Sequence, residues 1–155
     1  MRNLLLATAA VAIVAMPALA SGPYNKVDFN ISSSLAKECS IGAESTNLVV
    51  GPSASEGATG EFATTCNFEI SELTLTFTSA KGGVLNEVEG ITELYNITFD
   101  GETFGSDVAA DGVVLARSSG PVANNPVART FEVALQQDLS IAGEYADVLT
   151  IEVAP

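Results

Sequence analysis

The chain contains no histidine and no tryptophan, only two cysteines, and six basic residues against nineteen acidic ones. Without histidine, the commonest general base and metal ligand is missing. Two cysteines alone cannot supply the usual four-ligand zinc set. A formal charge of −13 repels phosphate backbones and anionic membrane faces, which excludes nucleic-acid and lipid-surface binding as working hypotheses. Serines are plentiful, yet none sits in a Gly-x-Ser-x-Gly elbow, and no partner base accompanies them. The carboxylates fall in turns and on the polar side of strands, where solvation accounts for them. Glu87, Glu89 and Glu93 cluster, as do Asp100, Glu102 and Asp107, but their spacing matches no calcium loop. No enzyme, cofactor or metal site is expected.

The chain does open with Arg2, an apolar run from Leu4 to Met16, and Ala18-Leu19-Ala20. That order is a secretory signal peptide over residues 1–20, and its apolar run is too short to span a membrane. The mature protein is expected to start at Ser21, without membrane insertion once the signal is removed. The signal inflates the 47% hydrophobic content. The 135 residues from Ser21 to Pro155 suit one domain of sandwich or barrel size. Loss of Arg2 moves the charge to −14. In an exported chain, Cys39 and Cys66 are expected to form a disulfide.

Period-two alternation dominates the chain beyond the signal. Lys26 to Ile41 carries apolar residues at Val27, Phe29, Ile31, Leu35, Cys39 and Ile41, the pattern of a strand with one buried face. Glu72 to Thr78 alternates most cleanly, with Leu73, Leu75 and Phe77 on one side and threonines on the other. Tyr95, Ile97 and Phe99 share a face, and Asp100-Gly101 makes a hairpin turn into Glu102–Phe104. Further strands are expected at Glu61–Cys66, Val113–Ala116, Thr130–Gln136 and Tyr145–Val153, the last interrupted by Asp147. Residues 51–60 and 118–126 are loops by composition. Asn30-Ile31-Ser32 and Asn96-Ile97-Thr98 fit a glycosylation sequon but lie in expected strands and are read as chance. The fold expected is an all-β, immunoglobulin-like sandwich of about seven strands.

The order of these pieces resembles a known family. An alternating VDFNIS is followed by LAKECSI with the first cysteine, NLVVG, TTCNF with the second, TLTFTSAKGGVLN, YNITFDG, and a closing AGEYADVLTIEVAP. This is similar to the spore coat protein U-like domain, which includes pilin subunits of archaic chaperone-usher fimbriae. The resemblance covers essentially the whole mature chain. Its C-terminal motif falls on Gly143, Tyr145, Asp147, Leu149, Ile151 and Val153. The resemblance implies a sandwich lacking its last strand, over 35–155, preceded by an N-terminal donor-strand extension, 21–34. Val27, Phe29 and Ile31 would be the donor residues, filling the groove of another copy by strand addition. Ser33 departs from a fully apolar donor stripe. The implied partners are copies of the chain, a periplasmic chaperone, an outer-membrane usher and an adhesion surface. The implied location is the periplasm in transit, then a surface fimbria serving adhesion or biofilm formation. The alternative is a self-complemented, non-polymerising secreted module, with Val27 to Ile31 folded onto its own domain.

Overall fold

The computed structural model describes residues 29–69, 72–120 and 122–155. The expected signal peptide, Ser21, Val27 and the start of the expected first strand lie outside the described residues. Leu35–Pro155 form one compact unit.

Within Leu35–Pro155 the structure is an antiparallel β-sandwich, as the alternation predicts. One sheet runs in the order β1 (Cys39–Gly42), β2 (Ala58–Cys66), β9 (Val127–Leu135), β6 (Tyr95–Phe99), β7 (Glu102–Gly105). The second runs β10 (Leu149–Ala154), β3 (Glu72–Ser79), β8 (Val113–Ser118). A short hairpin joins β4 (Val84–Asn86) to β5 (Ile91–Glu93), and a single helical turn, α1, spans Ser106–Ala109. The ten strands among the described residues exceed the seven expected, because three-residue strands such as β5 are too short to show a period.

The two sheets meet through their alternating faces. Leu73, Leu75, Phe77 and Ile97 are fully buried, and Phe62, Tyr95, Phe99, Val133 and Leu135 nearly so. At the centre Phe77 packs against Phe99, Phe104 and Phe131, with ring centroids 5.2, 5.6 and 6.3 Å apart. Such tilted and edge-on pairs add roughly 0.5 to 1.5 kcal/mol each beyond their burial. The β6–β7 turn is made by Asp100 and Gly101, both at positive φ (50° and 80°), as the Asp-Gly pair predicts.

One side of the sandwich is cross-linked. Arg117 on β8 donates to Asp100 (2.8 Å) and Glu102 (3.0 Å) on the β6–β7 hairpin, joining one edge of each sheet. At one end of the interior, Arg129 on β9 donates to Thr64 Oγ1 and to the Ser118 carbonyl. It thereby ties β2 to β8, and its burial lowers its pKa.

The expected strand over Lys26–Ile41 is corrected. Regular pairing is confined to Cys39–Gly42, and residues 29–38 adopt neither helix nor strand. Alternation alone does not make a strand, since a strand needs a ladder partner for its backbone groups. The Tyr145–Val153 strand likewise begins later, at Leu149, with Ala146 forming an isolated bridge to Leu85.

Candidate functional site

The edges opposite the Arg117 cross-link are β1 and β10. Each is paired on one side only, β1 with β2 and β10 with β3. The register of β10 sets Ile151 against Phe77 and Val153 against Leu75. The two β3 residues are fully buried, while Leu149, Ile151 and Val153 remain half-buried. The difference follows from position: β3 is flanked by strands on both sides, and β10 has an uncovered flank. Among the described residues no strand pairs with that flank, so a row of backbone N–H and C=O groups is left without ladder partners.

A cavity of about 450 Å³ opens between these two edges. Cys39, Ser40 and Ile41 line it from β1, and Ile151, Glu152 and Val153 from β10. The site is therefore a slot with apolar side chains at its base and backbone hydrogen-bonding groups along its rim. It has the chemistry of a strand acceptor.

The base of β10 is anchored by Asp147. Its Oδ2 accepts from Ser79 Oγ and from Tyr95 OH (2.7 Å), and its Oδ1 accepts the backbone N–H groups of Lys81 (3.0 Å) and Val148 (2.7 Å). Burial, reinforced by Asp147, pushes the Tyr95 phenol above its ordinary range and keeps it a donor. Ser79 Oγ in turn accepts from Gly82 N–H. The interruption that Asp147 makes in the alternation is thus the point where the chain is pinned before β10 starts. Asp147→Ala should lower stability by about 2 to 3 kcal/mol, because it leaves the buried Tyr95 hydroxyl without its acceptor. A denaturant midpoint that moves by less than the equivalent of roughly 0.5 kcal/mol, the ordinary surface range, would remove Asp147 from this role.

The C-terminal motif is spread over one structural column. A Cβ at Gly143 would meet Asn86 Nδ2 at 2.2 Å, so only glycine lets the chain pass there. Tyr145 OH donates to the Ile141 carbonyl, Asp147 anchors, and Leu149, Ile151 and Val153 face inward. Cys39 and Cys66 are bridged, across the first register pair of β1 and β2. Among the donor residues expected, Val27 lies outside the described residues. Phe29 and Ile31 are 83% and 92% exposed. The other six phenylalanines all lie in the core or pack against it.

Four of the six residues in the two acidic clusters receive a donor side chain. Glu87 receives Lys81, Glu93 receives Gln137, and Asp100 and Glu102 receive Arg117. Sequence reasoning missed Ser79, Tyr95 and Arg129 as polar anchors, since their partners lie far along the chain. It also missed Asn67, visible only as a polar residue directly after a strand-ending cysteine. Compared with known proteins, the chain matches no family model and no curated sequence. Among the described residues no helix is long and apolar enough to cross a membrane.

Proposed function

We propose that the protein is a structural subunit of a surface fibre, assembled by strand donation between copies. The observation that carries this reading is a match of two patterns. The uncovered flank of β10 presents Leu149, Ile151 and Val153 at a period of two, and the N-terminal segment presents Val27, Phe29 and Ile31 at the same period. Each donor residue buried in the slot of a second copy contributes up to about 1.5 to 3 kcal/mol. The main chain adds a ladder along the rim.

The resemblance to archaic chaperone-usher pilins supplies the remaining parts. A periplasmic chaperone covers the slot before assembly and an outer-membrane usher exchanges it for the next subunit. The Cys39–Cys66 disulfide fits the oxidising compartment that this route requires. Adhesion or biofilm formation is the use that the resemblance implies.

Surface-extracted protein run in SDS without boiling should form a ladder of multiples that collapses to one band on heating. A single monomer band in both lanes would instead indicate a self-complemented secreted module.

A further inference from the structure

Asn67 makes three hydrogen bonds to the stretch between the extension and β1. Asn67 accepts the Glu38 backbone N–H at Oδ1 (2.9 Å) and donates from Nδ2 to the Ala36 carbonyl (2.9 Å). Its own backbone N–H donates to the Glu38 carbonyl (3.0 Å). Beside it, Lys37 Nζ lies 4.7 Å from the centre of the Phe68 ring. The β1–β2 ladder ends at Cys39 opposite Cys66, and Asn67 prolongs its line as far as Ala36.

We propose that Asn67 is a positioning residue that holds the root of the extension in line with β1. It thereby favours filling of the slot by a second copy over filling by the chain's own extension. This rests on the strand-donation reading above and goes beyond it, by naming what decides between polymer and closed monomer.

The register shows why. With Ala36 to Glu38 held, an extension folding back along β1 must turn before Ala36. A turn through Ser33, Ser34 and Leu35 sets Phe29 opposite Cys39 and Val27 opposite Ile41, and leaves Ile31 opposite Lys37, outside the slot. A two-residue turn at Ser33-Ser34, or a four-residue turn over 32–35, shifts pairing by one and aims Asp28 inward, because a one-residue slip exchanges the two faces of a strand. With the root held, the chain's own extension therefore seats Val27 and Phe29 and leaves Ile31 out. Once the root is freed, a turn spanning 32–38 places Ile31 opposite Cys39 and Phe29 opposite Ile41. Lengthening a turn costs little, and closure within one chain has the advantage of a high effective concentration.

The test uses the full chain with Asn67→Ala and Asn67→Asp. The aspartate keeps the acceptor for Glu38 N–H and loses the donor to Ala36. The unboiled ladder is read beside binding of a labelled peptide of residues 26–34 to the isolated monomer. Asn67→Ala should deplete the multimer bands by roughly tenfold or more, given the millimolar effective concentration of a tethered segment. Its monomer should no longer bind the peptide, and Asn67→Asp should fall between it and the wild type. An unchanged Asn67→Ala ladder overturns the proposal. So does a depleted ladder whose monomer still binds the peptide like wild type, because that describes a loosened root with an open slot. If the wild type itself shows neither ladder nor peptide binding, the strand-donation reading is what has failed.

Discussion

Phe29→Asp should abolish the multimer ladder while leaving the domain folded and its disulfide formed. Phe29 is 83% exposed, so the substitution removes no packing from the domain, and a surface change of this kind moves stability by about 0.5 kcal/mol at most. In a strand seated in another copy's slot the same change acts twice. It removes roughly 1.5 to 3 kcal/mol of apolar burial. It also places a carboxylate among Ile151, Val153 and Cys39, where desolvation is costly. The two terms together exceed a hundredfold in affinity, since about 1.4 kcal/mol is tenfold. Ladder intensity and thermal melting, measured on the same preparations, separate assembly from folding. Wild-type multimers from Phe29→Asp would refute the donor assignment, and a lost melting transition would show that Phe29 belongs to the domain itself.

The second large effect is expected from the disulfide. Replacing Cys39 and Cys66 together by serine opens a loop with a sequence separation of 27. The chain-entropy account sets the loss at about 3 to 4 kcal/mol. Domains of this size have roughly 5 to 15 kcal/mol in total, so the yield of folded protein should fall with the denaturant midpoint. A shift below about 1 kcal/mol would show that β1 is held by its ladder and by Asn67 without the bridge. A thiol assay on native protein should find no reactive thiol, and finding two would contradict the bridge directly.

These residues also show where sequence reading succeeds. Leu73, Leu75, Phe77 and Ile97 are all fully buried, and Tyr95 and Phe99 nearly so, because a sheet with one dry face writes its period into the chain. The Asp100-Gly101 turn was legible because positive φ at both positions suits few other pairs. The disulfide was legible from the cysteine count and the expectation of export.

Pairings over long separations were not. Asp147 meets Tyr95 across 52 residues and Ser79 across 68, and nothing local marks either partner. Arg129 reads as a charge before an apolar run, and so the strand was expected to start at Thr130. It starts at Val127, because Thr64 and the Ser118 carbonyl satisfy the guanidinium inside the sandwich. The extension shows the converse. Its apolar residues alternate as far as Ile31, yet residues 29–34 form no strand, because a period says which face could be buried and not what would bury it.

The bridge between β1 and β2 also bears on how a fibre of such subunits would respond to tension. A pull on the extension enters the domain through Ala36 to Glu38 and reaches Cys39, the first residue of a strand only four residues long. Hydrogen bonds loaded in that direction would open one after another, as a zipper does. At Cys39 the force passes instead through a covalent link into Cys66, on the nine-residue β2, whose other flank is paired with β9. Stretching would then be resisted by the shear of long central strands, with the weak outer strand bypassed at its first residue.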